Sequence, residues 1–351
     1  YTPTNGDRDL YAVYRFRGFR PTWRLSFIHL KRHSARGDSS EARDFFVKGM
    51  NFSLNRLTLG VSGHLNSTST LDASLAYDRY DASLENDQLA TRRDGQPGFE
   101  RIEGKPIGYT YLNGFDLALV YRHDSVARRQ DRDINPRSGR RLYARYDRMS
   151  NWFIEGFNEQ NTSFLQEEYL GLFYNQFTGE WREFVGLPKN TTLALRAYGG
   201  LIDSDRVDTE EVGDFFDFHL GGIPYMRGYT FYSIEGRKAA MANATFRFPI
   251  LPSVQRRLGP LFIDRLYGAV YGDIGKAWDE NFSDPDPVFG RKGPVRDAGV
   301  QLRFDLISFY SLPTRIQLDA AYGFDEVDNK GPWKLYLTVL FNYINSIDPG
   351  E

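Results

Sequence analysis

The side chains in this sequence best suited to catalysis or metal binding are five histidines, one serine and a run of acids. None of the histidines follows a metal-binding pattern such as His-Glu-x-x-His. The chain has no cysteine, so thiolate ligands and disulfides are excluded. We therefore expect no metal site and no cofactor. The histidines are His29, His33, His64, His123 and His219.

Ser62 lies in a Gly-Val-Ser-Gly-His run at 60–64 that resembles the turn around a hydrolase nucleophile. The Gly-x-Ser-x-Gly spacing is missing, and nothing predicts the strand-turn-helix setting that such a serine needs. The acidic residues between Asp203 and Asp214 offer oxygen ligands for Ca²⁺, although a solvated loop is the favoured interpretation. No nucleophile with a neighbouring base is found, so we predict that the protein is not an enzyme.

The composition excludes several classes of protein. The 351 residues carry a formal net charge of −2, and a nucleic-acid-binding surface needs a clustered excess of Lys and Arg. Nucleic acid is therefore not an expected partner. No run approaches the roughly 20 apolar residues of a membrane-spanning helix. A membrane-embedded version of this chain would have to cross as strands.

Apolar residues recur at every second position over much of the chain, which predicts β-strands with two different faces. At 71–78, Leu71, Ala73, Leu75 and Tyr77 alternate with more polar residues. The same pattern returns around Leu117 and Leu119, at 300–306 and at 316–320. The segments are about ten residues long, enough for a tilted strand to cross a bilayer, whereas strands of soluble proteins usually have about five or six.

Aromatic residues and loops add to the membrane interpretation. Short connections, such as 18–21, 66–70 and 309–314, alternate with long polar ones, such as 85–109, 203–237 and 279–296. Aromatic side chains near predicted strand ends indicate an interfacial girdle. These are Trp23, Trp152, Phe153, Trp181, Phe248, Trp278 and Trp333.

Together these features predict an all-β protein: a transmembrane, antiparallel, up-and-down β-barrel of about 14 to 16 strands, with long extracellular loops. In hydrocarbon every backbone N–H and C=O needs a protein partner, and a closed sheet provides one for each. We expect residues 1–351 to form this one barrel, without a periplasmic domain in the chain. The alternative is a large soluble all-β protein, such as a propeller, but no blade-length repeat supports it.

Three stretches in the C-terminal half carry recognisable motifs. The first, at 220–229, places Gly221 and Gly222 before the triplet Arg227-Gly228-Tyr229. The second ends in Phe-Arg-Phe-Pro at 246–249, and the third is Tyr-Gly-Asp-Ile-Gly at 271–275. In this order they resemble the BamA-type superfamily of outer-membrane insertases and translocases, also called the bacterial surface antigen family. The resemblance covers about residues 131–343.

The resemblance implies that one extracellular loop folds into the barrel lumen and that its arginine meets a lumenal aspartate. We therefore expect Arg227 to pair with Asp273, because a buried arginine needs a carboxylate. Alternation independently places Asp273 inside, opposite Leu266, Val270 and Ile274. Met226 stands where the family commonly has Val, and Thr245 where it often has an acidic residue, so one of the loop's usual anchors is expected to be absent.

The last predicted strand, at 333–343, resembles the terminal strand that the family uses as an assembly signal. The residues expected to form that signal are Leu335, Leu337, Val339 and Phe341.

The resemblance implies a protein of the bacterial outer membrane that assists the insertion or translocation of other proteins. Its expected partners are the lipid bilayer, client outer-membrane or secreted proteins, and periplasmic or lipoprotein subunits. An alternative function is a passive pore, or a barrel that anchors an envelope complex. Upstream periplasmic domains would favour insertion, and conductance without an assembly defect would favour a pore.

Overall fold

The computed structural model describes residues 8–18, 20–33, 50–84, 87–91, 99–103, 107–126, 136–158, 166–203, 217–283, 293–309, 312–327 and 331–341. Their regular structure is β-strand, apart from one 3-10 turn at Pro188–Asn190. No helix in this part of the chain is long and apolar enough to cross a membrane. The strands are β1 (Arg8–Phe16), β2 (Thr22–His33), β3 (Met50–His64), β4 (Ser69–Leu84), β5 (Asp87–Thr91), β6 (Phe99–Glu103), β7 (Ile107–Asp124), β8 (Gly139–Asn158), β9 (Gln166–Gly186), β10 (Thr192–Asp203), β11 (Phe218–Leu220), β12 (Ile234–Gly236), β13 (Lys238–Leu251), β14 (Arg256–Leu258), β15 (Leu261–Trp278), β16 (Val295–Ser308), β17 (Leu312–Gly323) and β18 (Trp333–Phe341).

Fourteen of these strands form one sheet in which neighbours are antiparallel. Its order is β1-β2-β3-β4-β7-β8-β9-β10-β13-β15-β16-β17-β18, with the short β14 beside β15. The remaining strands form two hairpins, β5–β6 and β11–β12, inserted into connections. The predicted all-β, up-and-down antiparallel architecture is confirmed, and the strand number lies at the lower end of the predicted range. The expected closure of the sheet is not present among the described residues, because β1 pairs only with β2 and β18 only with β17.

The two ends of the sheet carry connections of different length, as predicted for an outer-membrane barrel. At one end, residues 17–21, 65–68, 187–191 and 309–311 join consecutive long strands. We call this the short-turn end, although the longer connection 125–138 between β7 and β8 also lies there. At the other end, the connections between strands are longer, namely residues 34–49, 85–106 and 204–237. The segment 85–109 differs from the expected plain loop because it contains the β5–β6 hairpin.

The two faces of the sheet differ as the alternation predicts. On β7, Leu117 is 46% exposed on the outer face, whereas the adjacent Asp116 is 1% exposed on the inner face. Val270 and Ile274 are likewise exposed on β15 and Asp273 is buried, so the predicted side of Asp273 is confirmed. The outer face is therefore apolar and the inner face carries charged groups.

The interior is packed rather than open next to β9, β10, β13 and β15. Tyr174, Ile202 and Met241 from three of these strands join one hydrophobic cluster with Leu220 and Met226 from the connection between β10 and β13. The sheet therefore curves around part of that connection. This cluster positions the site described below.

Two positions differ from the sequence expectation. Phe153 was expected at the interfacial girdle, but it is buried on the inner face, where it packs with Leu112 and Leu172. Leu306 was expected to face lipid, but it is buried. Its position close to the end of β16, opposite the register shift in β15 between Ile263 and Arg265, explains why simple alternation fails there.

Candidate functional site

The connection between β10 and β13 folds back against the inner face of the sheet. Its base is the β11–β12 hairpin, in which Leu220 lies opposite Ile234, and both side chains are buried. Residues 221–233 between these strands are called the lumen loop. The hydrophobic cluster at its base stabilises the inward position because it removes several large side chains from water.

The two glycines at the start of the lumen loop adopt backbone angles that other residues avoid. Gly221 has φ 104° and Gly222 has φ 78°. A Cβ on Gly221 would collide with the carbonyl oxygen of Thr230, and one on Gly222 with the ring of Phe231. The Gly222 N–H donates to the carbonyl oxygens of Met226 (3.1 Å) and Tyr229 (3.0 Å), which closes a tight turn. The pair therefore sets the shape of the loop.

Met226 is fully buried in the hydrophobic cluster, with its sulfur directed towards Gly275 on β15. The flexible thioether fills the space between loop and wall, which gives this departure from the family's common Val a packing role.

Arg227 reaches the wall of the sheet through its guanidinium group. Its Nε lies 3.4 Å from Asp273 Oδ2 and its Nη1 lies 3.5 Å from Asp319 Oδ1. The guanidinium carbon stands 3.2 Å from the centroid of the Tyr271 ring. The distances are those of ion pairs combined with a cation–π contact, so one cation is held by β15 and β17 together.

Both carboxylates that face Arg227 accept further hydrogen bonds. Asp273 accepts from the Asn243 side-chain amide on β13. Asp319 accepts from Gln301 on β16 (2.5 Å) and from Gln317 on β17 (2.7 Å). These bonds orient the carboxylates before the arginine arrives, and they extend the network over four adjacent strands. Thr245 donates to Asn243 (2.9 Å), so it supports the network through an amide and does not contribute a carboxylate.

Gly228 and Tyr229 bring the loop backbone against β16 and the end of β17. The Gly228 N–H donates to Asp297 Oδ2 (2.9 Å), and a Cβ at this position would lie 2.5 Å from Asp297 Cβ. The Tyr229 hydroxyl donates to the carbonyl oxygen of Arg296 (2.6 Å). Any side chain larger than hydrogen at 228 would push the loop away from the wall.

The last strand also contacts the lumen loop. The Tyr336 hydroxyl, on β18, donates to the carbonyl oxygens of Arg227 (2.9 Å) and Tyr229 (3.3 Å). The edge strand is thereby linked to the same residues that pair with the carboxylates.

A second group of contacts, from β10, holds the start of the loop. Arg196 Nη1 donates to the Pro224 carbonyl oxygen (2.8 Å), and its guanidinium lies over the Tyr225 ring at 4.5 Å. The rings of Tyr198 and Tyr225 are 4.6 Å apart. Burial raises the pKa of the loop hydroxyls of Tyr225 and Tyr229, because it disfavours the charged phenolate. Both loop tyrosines are therefore neutral hydrogen-bonding groups.

The proposed terminal-strand residues lie on the outer face of β18. Leu335 is 79% exposed, Leu337 68% and Val339 44%. The side chain of Phe341 lies outside the described residues, as does most of the acidic run 204–216. In the part of the chain that is described, no three His, Cys, Asp or Glu side chains are grouped to hold a metal ion.

Several residues of this site escaped sequence reasoning, namely Asp319, Asp297, Tyr336 and Arg196. Alternation already placed Asp319 on the inner face, because it follows Leu318 and precedes Ala320. No sequence signal distinguished it from other inner acids as a partner of Arg227. Tyr336 sits on an inner position of β18, but only the path of the loop brings it within reach.

Comparisons with known proteins agree with this fold. A profile for the Omp85 superfamily domain matches residues 10–333. The fold is similar to the crystal structure of BamA from Haemophilus ducreyi lacking POTRA domains 1–3, with a TM-score of 0.63 and 11% sequence identity. That alignment covers 95% of this chain and 62% of the BamA chain. Comparison with curated proteins gave no match.

Proposed function

The chain belongs to the Omp85 superfamily, and from that premise we propose that it assists the insertion or translocation of proteins at the bacterial outer membrane. The proposal rests mainly on one observation, the two edges of the main sheet. In the described residues β1 pairs only with β2, and β18 only with β17. Each edge therefore presents a row of backbone N–H and C=O groups.

A free strand edge can template an incoming strand by β-augmentation. In hydrocarbon an unpaired backbone group is costly, so an arriving strand of a client protein is stabilised by pairing with such an edge. All nine residues of β1 are exposed, and β18 exposes its apolar outer side chains. These features favour the two strands as the place where a client strand is received.

The lumen loop contacts the edge strand β18, so its position affects that strand. Arg227 and Tyr229 accept the Tyr336 hydroxyl through their carbonyl oxygens while Arg227 pairs with Asp273 and Asp319. We propose that Gly221, Gly222, Arg227, Gly228 and Tyr229 hold the loop in place with Asp273 as an anchor, and that the loop in turn supports β18.

The same proposal assigns the remaining roles. The chain acts as a barrel in the lipid bilayer, with client outer-membrane or secreted proteins as partners and with periplasmic or lipoprotein subunits beside it. Leu335, Leu337, Val339 and Phe341 would serve in recognition of this barrel during its own assembly.

A passive pore is the competing function. The lumen loop argues against it, because Leu220, Met226 and Tyr229 fill the interior next to β9 and β10. Single-channel recording of the full-length protein distinguishes the two: stable large conductance without an effect on client insertion would favour the pore.

Site-specific cross-linking tests the insertion proposal. Residues 1–351 contain no cysteine, so a single introduced one is unique within them, and any cysteine elsewhere in the full-length protein is replaced by serine. Leu337→Cys, on the edge strand, is expected to form a disulfide with a client precursor that carries a cysteine in its last strand, in proteoliposomes of the full-length protein. Leu117→Cys is the matched control, since it also faces outward but lies on β7 between two paired strands. Equal cross-linking at both positions, or none at Leu337→Cys, would contradict the proposal.

A further inference from the structure

Arg247 occupies an unusual position on the inner wall of the sheet. It lies on β13 opposite Thr192 of β10 and Ala269 of β15. Asn243, four residues earlier on the same strand, faces Asp273 at the Arg227 site. Arg247 is therefore on the same inner face, closer to the short-turn end of the barrel.

The guanidinium group of Arg247 has no carboxylate beside it in the described part of the protein. Its Nε and Nη1 are buried and make no hydrogen bond there. The contact that it makes is with the ring of Phe184, whose centroid lies 5.4 Å from the guanidinium carbon. Such a contact attracts a cation but leaves its N–H groups unsatisfied.

Four further arginines, Arg315, Arg182, Arg227 and Arg141, lie near enough to Arg247 to repel its charge. Arg303, on β16, is also close enough to be repelled by Arg247 and Arg315, and it is attracted by Asp319. This part of the wall is therefore a concentration of positive charge.

The neighbouring arginines already have partners. Arg182 contacts Glu180, and Glu180 also holds Arg196 at 2.8 Å. Arg141 lies 3.3 Å from Asp124.

Two more arginines lie on the neighbouring strands β16 and β17 of the same wall. Arg303 donates to Gln301, and Arg315 stands opposite Asp305 in the strand register. In the described residues none of these groups accepts a hydrogen bond from Nε or Nη1 of Arg247.

A buried guanidinium that lacks an acceptor is costly, and like charges around it increase that cost. The arrangement is stabilised when an anion occupies the space in front of the arginine. A guanidinium presents a planar fork of donors that matches two oxygens of a phosphate group, and a dianion offsets more than one excess positive charge.

We propose that Arg247 is the central ligand of a lumenal binding site for a phosphate group, with Arg303 and Arg315 supplying surrounding positive charge. The site includes neither the carboxylates that pair with Arg227 nor the strand edge, so it does not depend on the proposed function. The phosphate could come from solution or from a lipid headgroup at the short-turn end, and the shared chemistry is the phosphate itself.

The test compares thermal unfolding of the full-length protein in a neutral detergent. Inorganic phosphate is compared with chloride at equal ionic strength, and micelles containing phosphatidylglycerol are compared with micelles containing phosphatidylcholine. We expect phosphate, phosphatidylglycerol or both to raise the melting temperature. Arg247→Gln should weaken the apparent affinity for the active probe about tenfold or more, as for a lost charge-assisted hydrogen bond.

Two further variants make the outcome decisive. Arg79→Gln removes an arginine from the outer face of β4, where it pairs with Asp81 at 2.8 Å, and it should respond to the probes as the wild type does. Arg247→Lys keeps the charge but loses the fork, so its affinity should lie between those of wild type and Arg247→Gln. If only inorganic phosphate acts, the ligand is a free ion; if only phosphatidylglycerol acts, it is a lipid. An equal response in wild type and both Arg247 variants, or no response in any of them, would overturn the proposal.

Discussion

At the scale of single residues, one arginine connects the lumen loop to the wall. Arg227 faces two carboxylates, each of which also accepts a hydrogen bond from a side-chain amide. Its guanidinium group stacks on the ring of Tyr271. The side chains of Asp273 and Asp319 are nearly inaccessible to water. Removing the cation would leave two buried anions with amide donors but without the cation that pairs with them, and such a loss exceeds the value of an exposed ion pair.

Arg227→Ala is therefore expected to destabilise the protein by about 3–5 kcal/mol. Urea unfolding in micelles, followed by tryptophan fluorescence, measures this change. Arg79→Ala is the control, because its pair with Asp81 is largely exposed and should contribute at most about 1 kcal/mol. Similar losses in the two variants would show that the ion pairs of Arg227 do not hold the lumen loop against the wall.

At the scale of elements, β18 has a neighbour on one side only and depends on contacts outside the ladder. Tyr336 provides one of these, since its hydroxyl reaches two carbonyl oxygens of the lumen loop. The rings of Tyr336 and Phe231 also meet edge to face, with centroids 6.1 Å apart. The loop thus acts on the strand whose free edge the proposed function requires.

Tyr336→Phe removes the two hydrogen bonds and keeps the ring. We expect a loss of about 0.5–1.5 kcal/mol and faster amide hydrogen exchange, concentrated in β18. Tyr14→Phe, on the exposed edge strand β1, should change neither quantity. If amide hydrogen exchange in β18 is unchanged in Tyr336→Phe, the lumen loop does not stabilise the edge strand.

At the scale of the whole molecule, the sheet has an apolar outer face and a charged inner face. Its outer leucines are the surface that the bilayer would cover, including Leu57, Leu59, Leu75, Leu117, Leu119 and Leu318. The interior instead contains arginines, aspartates and the folded-in loop. This arrangement is stable only where the outside is the less polar solvent.

Leu117→Arg tests whether the apolar outer face of the sheet lies in lipid. An arginine near the middle of the outer face should cost about 2–4 kcal/mol in lipid vesicles, while one close to the interface should cost about 0–1 kcal/mol. Leu65→Arg is the matched control, because Leu65 belongs to the turn between β3 and β4. Equal folding equilibria of the two variants in urea titrations would contradict a bilayer around Leu117.

The faces of the strands were predictable from the sequence because side chains alternate locally. Alternation placed Val270 and Ile274 outside and Asp273 inside, and the lengths of the segments and connections indicated an up-and-down sheet. It failed at Leu306, opposite the register shift in β15, and at Phe153, where an aromatic near a strand end points inward. Each failure occurs where local periodicity no longer describes the surroundings of the side chain.

The sequence by itself determined the inner and outer face of most strand residues, because alternation depends on neighbours in the chain, and its resemblance to a known family identified the loop motif. Only the tertiary structure decided that Asp319 shares Arg227 with Asp273, that Tyr336 reaches the loop, and that Arg247 stands without an acceptor. These contacts join residues far apart in the chain, and they depend on strand register and on the path of the folded-in loop. No local pattern specifies either.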